Sequence, residues 1–562
     1  MECVPNFSEG KNAAKIDDIV SQMASVSGVT ILDIDPGADT NRTVVTMVGT
    51  PEAIGKGAFR GIKRASEIID MSHHNGTHPR MGATDVCPFI PVSGVSDEEC
   101  IELSKQVGKR VGDELGIPVY LYEKSARKPD RVKLPNIRIG EYEGLAKKLK
   151  DDNWKPDFGP AKFHVKAGAT VMGCREFLIA YNINLNTKDH RLATDIAFEL
   201  REAGRSKRIS NPKSKNLLDG EIVRHDDGKP VKVPGMFKDV KAIGWYVDIF
   251  NRAQISINFN NYKVSTIHDV FDEAFRLADD RGVRVTGSEL VGLIPLEAML
   301  MAGKHYLKKQ NRSLGVPVKD IVECAVQSLG LNDVTKFDPS EKIIDYAVKK
   351  EDRPLKSLVE NEFVEELSTN SPAPGGGSVS ALAGSLGAAL SSMVAALTHE
   401  KKGMLDIKPE MDEIGVEAQE LKDRLAFLVD EDTEAFNQVM EANRFPANDE
   451  KEKKVKEKAV DTANKYAIDI PMETAEKCFR VIELTNTLVE KGNPNSVSDA
   501  GVAAEVALAG VRGGCMNVLI NLNGIDDQEY CNKKRTAVET LIKKAESLHQ
   551  TVFNKTMKRI DD

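Results

Sequence analysis

An α/β half followed by an all-α half is the fold class that the sequence predicts, and three observations predict it. Short apolar runs rich in β-branched and aromatic residues alternate with helical periodicities through about the first 330 residues. From about residue 355 onward such runs give way to long helical patterns, the grammar of a helical bundle. Between the two, "KKEDRPLKSL" carries charge and proline without any apolar period. At 562 residues the chain also exceeds what one hydrophobic core serves, so several domains are expected.

The elements follow in order. "ECVPNF" reads as a strand and "KNAAKIDDIVSQMAS" as a helix; "GVTILDID" and "RTVVTMVG" are strands around a Pro-Gly turn. Pro51 opens the next helix at its first position, where a missing N–H is harmless. The strand "DVCPFIPV", the helix "SDEECIELSKQVGKRVGDELG" and the strand "PVYLYE" complete a β-α-β-β-α-β unit, the order of a ferredoxin-like split βαβ subdomain. A second α/β run starts near Ala167. In it "AGATVMGC", "EFLIAYNINLN", "VKAIGWYVD", "AQISINFNNY" and "VRVTGSELVGLIP" are strands, with helices at "DHRLATDIAFELREAG" and "IHDVFDEAFRLADD". The polar stretch 206–237 reads as an exposed loop or hairpin. The expected boundaries are two α/β subdomains at 1–166 and 167–334, a linker at 335–355 and a helical domain at 356–562.

Composition narrows the function. Hydrophobic content of 41% and charged content of 29% are those of an ordinary globular protein. A net charge of −9 with an isoelectric point near 5.8 gives no support to nucleic-acid binding as the main activity, since polyanions need a basic surface. Eight cysteines without a C-x-x-C pair give neither a disulfide framework nor a thiolate zinc site and fit a reducing compartment. No basic, then apolar, leader opens the chain, and no unbroken apolar run reaches the length of a membrane span. A cytoplasmic location and no membrane partner are therefore expected.

Five constellations carry chemistry. "MSHHNGTHPRMGATDVCPF" gathers three histidines, but Gly76 and Pro79 oppose the helix on which His74 and His78 would share a metal. A structural turn, or one working imidazole beside Arg80, competes with the metal reading. "DIDPGADTNRT" sets Asp33, Asp35, Asp39 and Arg42 around a strand-turn-strand. Either it is only a turn, or Asp35 orients an imidazole while Arg42 and Arg80 clamp a carboxylate. "DFGPAKFHVKAGATV" is an interdomain connection or a cationic wall for a flat anionic ligand. "NSPAPGGGSVSALAGSLGAAL" starts a helix of small residues suited to close packing, and its N-terminus suits an anion; the lysine of a P-loop is missing. Finally, Ile414, Ala418, Leu421, Leu425, Leu428, Ala435 and Val439 make a 4-3 apolar stripe that passes through Asp432. A carboxylate on that stripe is either half of a buried ion pair or an acid/base group with a raised pKa.

Taken together, "ECVPNFSEG", "DTNRTV", "HPRMGATDVCPFIPV", "PVYLYE", "PDFGP", "FLIAYNINL", "KAIGWYVD", "GSELVGLIPLEAML", "SPAPGGGSVSALAGSLGAAL", "LVDEDTEAF" and "NVLINL" resemble the formimidoyltransferase-cyclodeaminase family over nearly the whole chain. The resemblance implies that the first module moves a formimino group from N-formimino-L-glutamate to tetrahydrofolate, the co-substrate. It implies that the helical module then closes 5-formiminotetrahydrofolate to 5,10-methenyltetrahydrofolate, with release of ammonia, in histidine breakdown. The family's catalytic histidine falls on His78 and its cyclodeaminase carboxylate on Asp432. Its folate segment falls on Gly159, Pro160, Ala161, Lys162, Phe163, His164, Val165, Lys166, Ala167 and Gly168. Asp35, Arg42 and Arg80 become the substrate-binding candidates, and Gly375, Gly376, Gly377 and Ser378 the cyclodeaminase pocket. No metal and no redox cofactor is required, and a homo-oligomer built from dimers is implied. The 206–237 stretch is longer than the family's compact core needs. The alternatives are a formylglutamate-using transferase with a cyclohydrolase-type helical domain, and a folate-binding protein without turnover.

Overall fold

A computed structural model describes all residues except Asp39, Thr77, Ser93, 349–359, Asn370 and Asp562, and describes no side chain at 249, 348 and 360–362. It divides into two compact units, Met1–Ala302 with Val326–Lys350, and Gly303–Ala325 with Glu351–Asp562.

The first unit opens with a seven-stranded mixed sheet. Its strands are β1 (Glu2–Cys3), β2 (Asn6–Phe7), β3 (Val29–Gly37), β4 (Arg42–Gly49), β5 (Thr84–Ile90), β6 (Val119–Leu121) and β7 (Thr170–Cys174). β1 and β2 run in turn between β4 and β5, β3 lies outside β4, and β7 enters parallel between β5 and β6. Local sequence sets the intervening helices. Thr50 caps Pro51–Ile68, a Ser96/Glu99 capping box starts Asp97–Leu115, and Gly116 ends that helix at φ 64°. Cys3, Phe7, Met47, Cys87 and Phe89 lie in the core beneath these helices.

The strand at 170–174 was expected to begin the second subdomain. It is instead the last strand of the first sheet, so that sheet runs past the 166/167 boundary; a parallel partner is chosen by tertiary packing and leaves no local mark. The second sheet is antiparallel, in the order Val240–Val247, Arg252–Phe259, Ile179–Leu185, Val285–Val291. Its inward residues alternate: Ile179, Tyr181 and Ile183 pair with Phe259, Ile257 and Ile255, and Leu185 with Val285, all buried. The 206–237 stretch forms two short antiparallel ladders, Arg205–Ser206 with Lys232–Val233 and Arg208–Ile209 with Glu221–Ile222.

The described part of the expected linker is not a free connection. Pro339–Lys342 and Ile344–Val348 are helical, Ile343 and Ile344 are fully buried, and Leu296 donates to Asp345 at 2.7 Å. Two adjacent isoleucines draw this stretch into the first unit; 349–355 lies outside the described residues.

The second unit is helical, with long helices at Gly376–Glu400, Lys408–Asn443, Glu450–Lys491, Val497–Asn521 and Gln528–Asp561. It also takes Gly303–Ala325, expected in the second α/β subdomain: Gly315 stacks on Gly415, and Ser392 donates to the Gly315 carbonyl at 3.1 Å. Small residues let these helices meet closely. A Cβ on Gly384 would stand 2.3 Å from Cys478 Sγ, and one on Gly510 would stand 2.6 Å from it. Gly376–Glu400 and Pro494–Gly524 are each long and apolar enough by composition to cross a membrane. Serine and glycine interrupt both, so neither is an unbroken apolar run in the sequence. At least half of each helix's most apolar window is buried inside the unit.

Candidate functional site

His78 lies in the loop between the Pro51–Ile68 helix and β5, half-buried. Its Nε2 is 2.7 Å from Nη1 of Arg42, the first residue of β4. A guanidinium only donates, so Nε2 accepts and the ring proton sits on Nδ1. Nδ1 is buried without a well-formed hydrogen bond, although the Pro79 backbone lies near enough to favour its proton. Burial, then Arg42, then Arg138 lower the pKa of the imidazole to about 4. The ring is therefore neutral at physiological pH, the form that accepts a proton.

Arg42 has no carboxylate at ion-pair distance among the described residues; burial and the charge of Arg138 depress its pKa, while Asp85 and Asp35 oppose them. Arg138, at the end of the short helix Leu134–Arg138, is paired with Asp85 of β5, and Asp85 also accepts from the Met81 N–H at 2.8 Å. Two guanidiniums over one paired carboxylate repel a metal ion and suit an anion. Asp35 is exposed on β3, opposite Val44, and makes no contact with His78 among the described residues. Asp39 lies outside them.

Arg80 is not the open anchor that the sequence suggests. It is buried; Nη1 meets Glu141 at 3.0 Å, Nη2 meets Glu143 at 2.6 Å, and Nε donates to His74 Nδ1 at 3.3 Å. His74 Nε2 in turn donates to the Asn41 carbonyl at 2.9 Å. With two carboxylates on it, Arg80 ties the histidine loop to the Glu141–Lys148 helix and to the β3–β4 turn. Nothing local announces this, because the glutamates lie some sixty residues downstream.

The 159–168 segment is joined to the same loop by its backbone. Met71 donates to the Lys166 carbonyl at 2.9 Å, Ala83 to that of Ala167 at 2.9 Å, and Ala169 to that of Met81 at 3.0 Å. Gly168 (φ 67°) passes so near that a Cβ would stand 2.1 Å from the Met81 carbonyl oxygen. Pro160, Lys162, Phe163, His164, Val165 and Lys166 line an open groove of about 400 Å³ together with Gly116. Gly159, Ala161, Ala167 and Gly168 do not line it; Ala167 and Gly168 are buried, and Gly159 turns at φ 79° against Gly112. Tyr142, which sequence reasoning passed over, rests on Phe163 at 5.2 Å and donates to the Val165 carbonyl. Its signal was slight: an aromatic between Glu141 and Glu143.

In the helical unit the stripe is buried as expected from Ile414 to Leu428, and Asp432 continues it. The carboxylate sits over the first turn of Gly376–Glu400. A Cβ on Gly377 would stand 2.0 Å from Asp432 Oδ1. Ser378 Oγ lies 3.2 Å from Oδ2 and 2.9 Å from the Val429 carbonyl. Burial raises the Asp432 pKa, and hydrogen bonds from the Ser378 side chain and backbone oppose it. No cation pairs with Asp432 among the described residues. Gly377 and Ser378 thus touch it, Gly376 stands near Asn517, and Gly375 only precedes the helix. Glu431, immediately before Asp432 in the chain, is reached by both Arg424 and Tyr466 at 2.9 Å.

Comparison with known proteins adds three matches to family models: the N-terminal subdomain of the formiminotransferase domain over residues 1–175, the formiminotransferase domain over 180–349, and formiminotransferase-cyclodeaminase over 360–540. The chain is 41% identical to a formimidoyltransferase-cyclodeaminase of Dictyostelium discoideum over 564 residues, covering 98% of each chain. It is 40% identical to a glutamate formimidoyltransferase of Streptococcus pyogenes, over 55% of this chain and 94% of that one. It is 34% identical to a methenyltetrahydrofolate cyclohydrolase of Methylorubrum extorquens, over 35% of this chain and 96% of that one.

Proposed function

The chain belongs to the formiminotransferase-cyclodeaminase family, and from that premise we propose a residue-level mechanism for the two linked folate reactions it catalyses. The α/β module transfers the formimino group of N-formimino-L-glutamate to N5 of tetrahydrofolate. The helical module closes the product to 5,10-methenyltetrahydrofolate and releases ammonia.

In the first step N5 attacks the amidine carbon and loses a proton, while the glutamate nitrogen leaves and gains one. Neutral His78 takes the first proton and returns it as the second. Arg42, free of a carboxylate partner among the described residues, takes a carboxylate of the glutamate donor. The 160–166 groove seats the folate beside the histidine loop. In the second step N10 attacks the carbon of the protonated amidine and gives up its proton to the former imine nitrogen, which then carries three hydrogens and departs as ammonia, leaving the methenyl cation. Asp432, its pKa raised by burial, relays that proton at the helix N-terminus.

The neutral His78 imidazole facing a guanidinium without a carboxylate partner among the described residues is the observation that carries this mechanism. His78→Ala is expected to lose formimino transfer by about 10²–10⁴-fold and to spare cyclisation of supplied 5-formiminotetrahydrofolate. Asp432→Ala should do the reverse. A variant that loses both steps, or neither, overturns the assignment.

The similarity of the helical module to a cyclohydrolase favours one second reading, in which methenyltetrahydrofolate is hydrolysed. Ammonia release from 5-formiminotetrahydrofolate separates the two. A formiminoglutamate-consuming reaction fits a role in histidine breakdown. Eight free thiols, seven of them buried, fit a reducing cytoplasm. Val379, Leu386, Met393 and Leu397 stand exposed along one face of Gly376–Glu400 and support a homo-oligomer.

A further inference from the structure

On the reading of His78 as the transfer base, we propose that Arg42 masks that base in the empty site and that a carboxylate of the incoming glutamate donor unmasks it by drawing the guanidinium away. Arg42 is then a positioning residue with two successive partners.

The geometry supplies each part. The Nε2 lone pair that must accept a proton is already taken by Arg42 Nη1 at 2.7 Å. Arg42 makes no ion pair among the described residues, so none of these competes with an incoming carboxylate for it. A guanidinium–carboxylate hydrogen bond is charge-assisted at both ends, whereas guanidinium–imidazole has charge on one side only, so the carboxylate wins the exchange. In the masked state the buried Nδ1–H also lacks a well-formed acceptor.

The charged groups around the ring act in one direction. Arg42 on β4 and Arg138 on the Leu134–Arg138 helix both disfavour imidazolium; Asp85 of β5 is committed to Arg138, and Asp35 of β3 acts on Arg42. Withdrawing and neutralising Arg42 removes the nearer cation. The base thus strengthens when the donor is present, and stays capped when folate binds alone.

The test is a titration of the whole enzyme carrying ¹³C at histidine Cε1, with the His78 resonance identified by its loss in His78→Gln. L-Glutamate is the probe. Saturating glutamate is expected to raise the wild-type His78 midpoint by about one unit or more. In Arg42→Gln the midpoint of the free enzyme already sits that much higher, and glutamate adds no further rise. Arg42→Lys keeps the charge without the planar fork and falls between the two. In wild type, the acid limb of kcat against pH lies above that of kcat/KM, and in Arg42→Gln the two coincide. Glutamate that binds without moving the midpoint, glutamate that does not bind, or an Arg42→Gln midpoint equal to wild type each overturns the proposal. Should His78→Gln retain transfer, the base assignment fails, while the titration still decides whether Arg42 caps the ring.

Discussion

At His78, burial and two guanidiniums act together to exclude a further positive charge, so the ring stays neutral where a free imidazole titrates. This has a consequence for stability. The folded value, about 4, lies below the unfolded one, so between about pH 6.5 and pH 4 the unfolded chain binds the extra proton and stability falls with pH. Urea unfolding of the α/β unit should therefore show a smaller loss between pH 7 and pH 5 in His78→Gln than in wild type; equal losses would contradict the neutral ring. Single residues were legible where their signal was local. Gly76 and Pro79 argued against a metal helix, and the 4-3 count reached Asp432 without a structure. The partners of Arg80 were not legible, because its carboxylates, Glu141 and Glu143, come from a helix that only the fold brings near. Arg138 gave no signal, since one more arginine on a short helix looks like surface.

The Gly376–Glu400 helix is where an element, rather than a side chain, makes a site. Its first turn presents Gly377 and Ser378 to Asp432, and only the missing Cβ lets the carboxylate stand there. Gly377→Ala should displace Asp432 and lower cyclodeaminase turnover at least tenfold, comparable to losing a well-placed proton relay, while formimino transfer stays within about twofold of wild type. Assaying both steps on one preparation checks this, and full cyclodeaminase activity would mean that the contact is dispensable. Element order was readable from periodicity and caps, as the Ser96/Glu99 box and Pro51 show. Pairing was not: β7 lies between β5 and β6 because tertiary contacts select its parallel neighbours. The 335–348 stretch looked like a linker because its apolar content is brief, yet Ile343 and Ile344 suffice to bury it.

At the scale of the whole molecule, two units of different architecture each hold one candidate site, and the first reaction makes the substrate of the second. Asp432→Ala should accordingly accumulate 5-formiminotetrahydrofolate from formiminoglutamate and tetrahydrofolate, up to the folate supplied, whereas His78→Ala accumulates none. The bundle also leaves a demand of its own. Along Gly376–Glu400 the outward residues Val379, Leu386, Met393 and Leu397 stand 40%, 54%, 39% and 44% exposed, and no charged side chain interrupts the sequence from Val379 to Thr398. Such a face offers nothing to a charged partner and much to an identical one, since two copies can pack the same stripe about a two-fold axis. Leu386→Lys with Met393→Lys puts two like charges on that stripe without touching the buried side of the helix. Sedimentation velocity should then show a smaller assembly than wild type at equal concentration, with the helical circular-dichroism signal unchanged. An unchanged mass would move the self-association surface elsewhere, whereas loss of helicity would show that the face is needed for the fold of the bundle itself.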